Sequence, residues 1–258
     1  MIAFFFIKQY TIKKEFALET KKSNAVRFID AYNKIDYALR VQHNFKRSLS
    51  FSDMIRKAVV QNHIVRKYED DLIDFGRLRN AIVHKSNDKF LIAEPHTDVT
   101  EKIEKIARLI TTPPKVIETN CVHDVFTISY DVPVQSAIEV MAQTHYSNIP
   151  VFKEGVLIGV ANGQKIIDAF GQFLLDGGED TEFLQHKTIE EIVNQSTNTQ
   201  YYAIASIDVT IEDVMNMFFT NRKLLCIILT KNGKMGETPV GIITSSDFME
   251  LNKIIENY

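Results

Sequence analysis

Ile149-Pro-Val-Phe152 is followed 76 residues later by Leu225-Cys-Ile-Ile228, and this pair belongs to an internal repeat. Three further pairs of segments agree in the same order: Val125-Phe-Thr-Ile128 with Tyr201-Tyr-Ala-Ile204, Ala137-Ile-Glu-Val-Met141 with Asp213-Val-Met-Asn-Met217, and, after a six-residue insertion, Gly159-Val-Ala161 with Gly241-Ile-Ile243. Each unit predicts a strand, a helix, a buried strand, a turn, a strand and a helix. Two such units in tandem bury a common face.

The charge of the chain changes sign at Thr111-Thr-Pro-Pro114. Residues 1–112 contain 21 Lys and Arg against 14 Asp and Glu, and residues 113–258 contain 9 against 19. Paired prolines end a helix and stiffen a connector. We therefore predict two domains, 1–112 and 113–258, with the repeats at about 113–178 and 186–258. A basic half attracts a polyanion such as RNA, while an acidic half still admits a small nucleotide; the alternative is an electrostatic match between the two domains.

The composition excludes several classes of protein. The 258 residues are 45% hydrophobic and 24% charged, with 10 Gly, 6 Pro and two Cys, which is typical of a globular protein and excludes collagen and disulfide scaffolds. Cys121 and Cys226 stand far apart, so we expect no metal site and a reducing, cytoplasmic location. No apolar run reaches the length of a membrane span, and residues 1–7 lack the basic leader of a signal peptide. They predict a first strand or helix.

Residues 1–112 predict a small all-α bundle. Phe28, Tyr32, Ile35 and Leu39 recur at helical spacing and predict a helix over about 23–44. Ser52-Asp53 predicts the cap of a second long helical stretch. The apolar anchors of that stretch are Ile55, Val59, Val65, Leu72 and Phe75, and Gly76 predicts a local break or close packing. A further helix is expected over about 98–110.

The repeat resembles the CBS domain. The residues that carry the resemblance in the first unit are Val125-Phe-Thr-Ile128, Val134-x-x-Ala137-x-x-x-Met141, Asn148-Ile-Pro-Val151 and Gly155-x-x-x-Gly159. Those in the second are the lead-in Ile189-Glu-Glu-Ile-Val193 and the close Gly241-Ile-Ile-Thr-Ser-Ser-Asp247-Phe248. The resemblance implies a tandem CBS pair, or Bateman module, over 113–258. The expected fold class is therefore α+β, an all-α bundle followed by an α/β pair.

Such a pair implies a regulatory adenine nucleotide bound between the repeats: AMP, ADP or ATP, with cyclic di-AMP and S-adenosylmethionine as alternatives. Thr244 is expected at a helix start, where phosphate is favoured, and the Asp247 carboxylate can accept hydrogen bonds from a ribose diol. We expect apolar walls from Leu225, Cys226 and Ile227, and an adenine side lined by Ile204 and Ala205. The alternative is that Thr244 and Asp247 only cap the helix.

The first repeat departs from this pattern. Asn162 stands where the second repeat has Thr244, and Lys165 stands where it has Asp247. The acid that would bind a ribose is therefore missing, and we expect one competent nucleotide site. Tyr201 and Tyr202 either stack on a base or belong to the core.

The segment Arg79-Asn80-x-x-x-His84 resembles the signature of HEPN domains, helical bundles that are often metal-independent ribonucleases acting as dimers. The resemblance implies a homodimer, with His84 moving a proton, Arg79 stabilising phosphoryl charge and Asn80 orienting the reacting groups. No catalytic cofactor is expected. The alternative is that Arg79 meets an internal carboxylate, for which Asp30, Asp36 and Asp74 are candidates.

Together these observations predict a regulator in which nucleotide binding to the CBS pair controls a HEPN-like dimer that cleaves or binds RNA. The alternatives are an adaptor without catalysis that docks a partner protein, and a pair that serves only as a dimerisation scaffold.

Overall fold

The computed structural model describes residues 22–84, 93–122, 124–195 and 201–258, apart from the side chains of His84, Asn194 and Gln195. Contacts divide the chain into two compact units, Met1–Thr112 and Pro113–Tyr258. The element predicted at residues 1–7 lies outside the described part. None of the described helices combines the length and the apolar character needed to cross a membrane.

The described part of the first unit is helical. Its helices are α1 (Asn24–Gln42), α2 (Phe51–Ala58), α3 (His63–Lys67), α4 (Glu69–His84) and α5 (Thr97–Thr111). Ser23, Ser50 and Asn62 each begin a helix, because the side-chain oxygen of each accepts a hydrogen bond from a backbone amide three residues later.

The long stretch predicted from Ser52-Asp53 is instead three helices, α2 to α4. Its first cap is Ser50, and Asp53 lies inside α2, where its backbone amide donates to the Ser50 hydroxyl. Asn62 is 2% exposed and restarts the helix by accepting from the Val65 amide, which a smooth apolar spacing does not reveal. Gly76 does not break α4. A Cβ there would lie 3.2 Å from Cδ1 of Phe51, so Gly76 permits close packing.

The core of the first unit includes the packed faces of α1 and α5. The predicted face of α1 is buried, with Phe28, Ile35 and Leu39 fully inaccessible. On α5, Ile103, Ile106 and Ile110 are fully buried in the same way, and α1 and α5 pack along each other. The apolar spacing of these two helices thus corresponds to a single packed layer.

The second unit contains two three-stranded sheets of the same topology. The first repeat holds β1 (Ile128–Ser129), α6 (Val134–Thr144), β2 (Asn148–Lys153), β3 (Val156–Asn162), α7 (Gly163–Leu175), α8 (Asp180–His186) and α9 (Ile189–Gln195). The second holds β4 (Tyr202–Ser206), α10 (Ile211–Thr220), β5 (Cys226–Thr230), β6 (Pro239–Thr244) and α11 (Phe248–Asn257). In each sheet the central strand, β2 or β5, pairs parallel with the preceding strand and antiparallel with the following one.

The strand register corrects the spacing of the repeat. Val151 on β2 pairs with Ile128 on β1 and with Gly159 on β3. In the second repeat, Leu229 on β5 pairs with Ala205 on β4 and with Gly241 on β6. The offset between repeats is therefore 77 residues at the first strand (128 to 205), 78 at the central strand (151 to 229) and 82 at the third (159 to 241). The predicted offset of 76 is therefore one residue short at the first strand and two residues short at the central strand, while the predicted offset at the third strand is unchanged.

Burial supports the corrected register. With an offset of 77, the fully buried Ala137 corresponds to the fully buried Val214. The offset of 76 paired Ala137 with Asp213, whose side chain belongs to the capping box of α10. Chemical similarity alone therefore gives an alignment that is shifted by one position at the first strand and at this helix and by two at the central strand.

Each repeat is completed by the lead-in segment of the other. Residues 114–116 bond to 209–211 of the second repeat, and residues 187–189 bond to 132–134 of the first. Gly241 accordingly faces Val122, and Gly159 faces Val193; a Cβ on either glycine would collide with the facing valine. The two sheets also share an apolar cluster that includes Leu157, Val160, Cys226, Ile228 and Ile242.

Candidate functional site

Thr244 ends β6, and a short 3-10 turn, Ser245–Asp247, leads into α11. The Thr244 amide donates to Oδ2 of Asp247 at 2.7 Å, and the Thr244 hydroxyl donates to the same oxygen at 3.0 Å. The Thr244 hydroxyl also lies 2.6 Å from the hydroxyl of Ser246. Thr244 and Asp247, both predicted site residues, are thus brought together in the capping arrangement that was the alternative to a site.

A cleft of about 400 Å³ opens beside this turn, and we call it the Thr244 cleft. Ile242, Thr244, Ser245 and Ser246 line it from the second repeat. The first repeat lines it with residues that precede β1 and residues between α6 and Pro150: Asp124, Phe126, His145, Tyr146, Ser147, Asn148 and Pro150. The cleft is therefore built by both repeats.

Two aromatic side chains of the first repeat are partly open to solvent in this cleft. Phe126 is 44% exposed and Tyr146 is 42% exposed. His145 precedes Tyr146 and has a left-handed backbone, with φ of 60°, which ends α6 and turns the chain toward the cleft. A large, half-open aromatic surface beside a row of hydroxyls suits a ligand that is flat at one end and polar at the other.

The residues predicted as apolar walls lie outside the lining of the Thr244 cleft. Cys226 and Ile227 are fully buried in β5 and do not line the Thr244 cleft; Leu225, Ile204 and Ala205 are also absent from its lining. The reason is topological. β5 is the central strand of its sheet, whereas Thr244 ends the edge strand β6, whose open side is closed by the first repeat. Burial in β5 also raises the pKa of the Cys226 thiol to about 12.

The equivalent turn in the first repeat is filled by the chain itself. Asn162, the counterpart of Thr244, is 8% exposed; its Oδ1 accepts from the Lys165 amide at 3.1 Å, and its Nδ2 donates to Oδ1 of Asn148 at 2.7 Å. Nζ of Lys165, the counterpart of Asp247, lies 3.2 Å from the centre of the Tyr201 ring. Burial lowers the pKa of Lys165. Tyr201 therefore stacks against a lysine of its own chain.

The predicted catalytic segment lies at the end of α4. Cζ of Arg79 is 5.7 Å from the centre of the Tyr32 ring, and Nη1 of Arg79 donates to Oδ1 of Asn80 at 3.4 Å. Nε of Arg79 is buried and has no hydrogen-bond partner among the described residues. The pKa of the Tyr32 hydroxyl is raised to about 12, mainly by burial and further by Asp36, while Arg79 opposes the shift. The side chain of His84 lies outside the described part.

The internal carboxylates expected to meet Arg79 bind other residues. Asp30 pairs with Lys22 at 2.6 Å, Asp36 with Arg40 at 2.8 Å and Asp74 with Arg77 at 2.7 Å. Each acid therefore pairs with a basic residue of its own helix or, for Asp30, with a lysine just before that helix. Within the described residues, Arg79 consequently has a cation–π contact and no ion pair.

With these geometries established, comparison with known proteins identifies one part of the chain. The sequence model of the CBS domain matches residues 116–171. These residues form a CBS domain. No curated protein sequence matches the chain.

Several solved structures of CBS domains are similar to this chain. They include a CBS-domain containing protein from Agrobacterium tumefaciens (17% identity, 50% of this chain and 84% of that chain covered, TM-score 0.39). A second is the CBS domain of a bacterial CNNM/CorC family Mg²⁺ transporter in complex with ATP (22% identity, 58% and 94% covered, TM-score 0.41). A third is a CBS domain-containing protein from Kribbella flavida (16% identity, 52% and 94% covered, TM-score 0.40).

The CBS domain at 116–171 supplies the cleft residues that sequence reasoning missed. Phe126 stood inside a segment interpreted as a core strand, and β1 begins only at Ile128. Tyr146 lies two residues before the Asn148-Ile-Pro-Val151 pattern, and no sequence motif assigns it a role. The available signal was that both rings lie outside the strands and helices, just before β1 and just before β2.

Proposed function

We propose that residues 113–258 are a regulatory module that binds an adenine nucleotide in the Thr244 cleft. The observation that supports this is the cleft itself, because it joins two half-exposed aromatic rings to a row of hydroxyls at a strand-to-helix turn. The CBS domain at 116–171 contributes one side of that cleft.

The cleft offers a different contact to each part of a nucleotide. The base stacks on Phe126 and Tyr146, since stacking on an aromatic ring contributes about 1–3 kcal/mol per base. The hydroxyls of Thr244, Ser245 and Ser246 bond the ribose or a phosphate, and the start of the helix favours negative charge. Asp247 is not among the residues that line the cleft. Its Oδ2 holds the turn through Thr244, and its other oxygen is the acceptor proposed for the ribose diol.

Calorimetric titration with AMP, ATP, cyclic di-AMP and S-adenosylmethionine tests this proposal. We expect saturable binding of at least one of them near one site per chain. Phe126→Ala and Tyr146→Ala should each weaken that binding by about tenfold, as loss of stacking implies. Tyr37→Ala is the matched control, because Tyr37 is 72% exposed on α1 in the other unit. No binding, or equal losses in all three variants, contradicts the proposal.

We further propose that nucleotide binding controls a HEPN-like dimer formed by the helical unit, and that this dimer is a metal-independent endoribonuclease. In the reaction the ribose 2′-oxygen bonds to phosphorus, the bond to the 5′-oxygen breaks, and a proton passes from the 2′-hydroxyl to the leaving oxygen. His84 transfers the proton, Arg79 stabilises the phosphoryl charge and Asn80 orients the groups. The nucleotide regulates only if it binds one dimer arrangement more tightly than another.

Arg79 supports this role, since its guanidinium has no ion-pair partner among the described residues and its Nε is buried without a hydrogen bond. Cleavage of a labelled RNA should fall at least 100-fold in Arg79→Ala. Arg77→Ala is the matched control: Arg77 lies on the same helix, is 75% exposed and pairs with Asp74. The second candidate is an adaptor without catalysis, which the packing of Arg79 over Tyr32 favours. Equal cleavage by both variants and the wild type supports the adaptor.

A further inference from the structure

The charges around the Thr244 cleft carry information about the ligand beyond its base. We infer that the cleft selects a nucleoside or a nucleoside monophosphate over a nucleoside triphosphate, and that Asp124 sets this preference by charge. The inference rests on the proposed nucleotide-binding function and specifies which phosphorylation state the site takes.

The lining of the cleft contains an acid and no permanent cation among the described residues. Asp124 is exposed at the mouth of the cleft and makes no ion pair within the described part of the chain. Neither Lys nor Arg lines the cleft in that part, and His145 is its only basic side chain. A triphosphate-binding site ordinarily carries Lys, Arg or a metal ion to offset the phosphate charge.

Asp247 does not line the cleft, but it places a second carboxylate on the turn whose other residues, Thr244, Ser245 and Ser246, do. Oδ2 of Asp247 accepts from both the amide and the hydroxyl of Thr244, so this amide already has an anionic partner. The unit as a whole adds to the negative potential, since residues 113–258 contain 9 basic and 19 acidic residues. The charge near the turn and the charge of the whole unit therefore both repel a negatively charged ligand.

One phosphate can still be accommodated. The Ser245 and Ser246 hydroxyls line the cleft at the start of the helix, where the negative charge of one phosphate group is favourable. Each added phosphate brings further negative charge beside Asp124 and Asp247 without a compensating cation. Because like charges at short range repel strongly where water is partly excluded, affinity should fall with each added phosphate.

The nearest alternative for a longer phosphate tail is Arg222. It lines a neighbouring depression with Phe218, Phe219 and Phe248, and this depression shares only Ser245 with the Thr244 cleft. A tail that crossed Ser245 and reached Arg222 would reverse the preference. Arg222→Ala therefore belongs in the test.

The test is calorimetric titration of the full chain with adenosine, AMP, ADP and ATP at pH 8 in EDTA, where a histidine is ordinarily neutral. We expect adenosine and AMP to bind within tenfold of each other and ATP to bind at least tenfold more weakly than AMP. Asp124→Asn should strengthen ATP binding at least fivefold and strengthen AMP binding by a smaller factor, because AMP carries about half the negative charge of ATP. Glu179→Gln, which removes an equally exposed charge of the same unit outside the cleft, should change neither.

Each contrary result is informative. ATP binding as tight as AMP binding, whether or not Arg222→Ala weakens it, overturns the inference and leaves the proposed function standing. Excess Mg²⁺ should narrow the gap between ATP and AMP, and an unchanged gap means that size rather than charge sets the preference, which also overturns the inference. Absence of binding by all four compounds overturns both the inference and the proposed function. The comparison among ligands uses the wild type, so it does not depend on the folding of any variant.

Discussion

The two strand-to-helix turns of the second unit share one backbone plan and differ in the side chains that fill it. In the second repeat, Thr244 and Asp247 leave a cleft of about 400 Å³ beside them. In the first, Asn162 is buried by hydrogen bonds to its own repeat, and Lys165 covers the ring of Tyr201. With an offset of 77, Tyr201 corresponds to Asp124, which lines the Thr244 cleft.

The difference shows how two repeats with one backbone plan can differ in the space beside the same turn. The strand order and the helix starts are kept in both repeats. In the first repeat Lys165 lies over the ring of Tyr201, and the Asn162 amide is hydrogen-bonded in a buried network. These polar groups therefore already have partners, so a ligand would meet none that is free. The backbone of the turn is thus the same in both repeats, while the polar side chains of the first turn bond to other residues of the chain.

The largest expected effect on stability comes from the two glycines, Gly159 and Gly241, that face the crossing lead-in segments in the two repeats. Gly159→Ala and Gly241→Ala each add a Cβ that collides with a valine of the crossing lead-in segment, Val193 or Val122. We expect each to lower the free energy of unfolding by about 3 kcal/mol, because a packed core relaxes poorly around an added methyl group. Urea denaturation measures this loss.

The control for these variants is Gly171→Ala. Gly171 lies inside α7, and a Cβ there meets nothing within 4 Å. It should stabilise the protein by up to about 1 kcal/mol, since alanine favours a helix over glycine. A similar loss in all three variants would show that the crossing is not specially tight.

A second prediction concerns a buried acid that the two repeats do not share. Glu212 on α10 is 9% exposed, and burial, with Asp213, raises the pKa of its carboxyl to about 7; its counterpart at an offset of 77 is the neutral, exposed Gln135. A raised pKa in the folded state means that stability is full below pH 4.5 and falls as pH rises through 7. Glu212→Gln should remove that fall and add about 3 kcal/mol at pH 8.

Denaturation at pH 4.5 and pH 8 measures this difference. Glu250→Gln is the control, because Glu250 is an exposed acid on α11 that pairs with Lys253. We expect it to change the free energy of unfolding by less than about 1 kcal/mol at either pH. A gain from Glu212→Gln that is equal at both pH values would contradict a protonation effect.

The smallest expected effect comes from giving the turn of the first repeat the side chains of the turn in the second. Asn162→Thr with Lys165→Asp gives the first repeat the turn residues of the second, and removing the cation–π contact should cost about 1 kcal/mol of stability. If internal side chains are what block the turn, titration should then show a second, weaker nucleotide-binding event per chain. Lys231→Ala, an exposed lysine of the same unit, is the control. Unchanged stoichiometry in the double variant means that another feature closes the turn.

Much of the helical unit follows from its sequence, because burial on one face of a helix leaves a regular apolar spacing. Phe28, Ile35 and Leu39 are buried as that spacing predicts. The division of the second stretch into α2, α3 and α4 was not predicted. It depends on the Asn62 side chain, whose hydrogen bond to Val65 restarts the helix while the apolar pattern continues.

The candidate site was only half predictable. Thr244 and Asp247 are neighbours along the chain, so their contact follows from the turn they occupy. Phe126 and Tyr146 reach the same cleft from another repeat, and no local pattern links them to Thr244. The similarity between buried strands pointed to Cys226 and Ile227. Both are fully buried in the central strand β5, and neither lines the Thr244 cleft.

The sequence by itself determined the tandem repeat, the change of charge at residue 112 and the presence of Lys165 where the second repeat has Asp247, because each is a property of residue order and type. Tertiary structure alone decided the register between the repeats, the crossing of their lead-in segments and the composition of the cleft. The physical reason is that strand pairing and packing join residues that are distant along the chain, and their free energy depends on geometry that local patterns do not record.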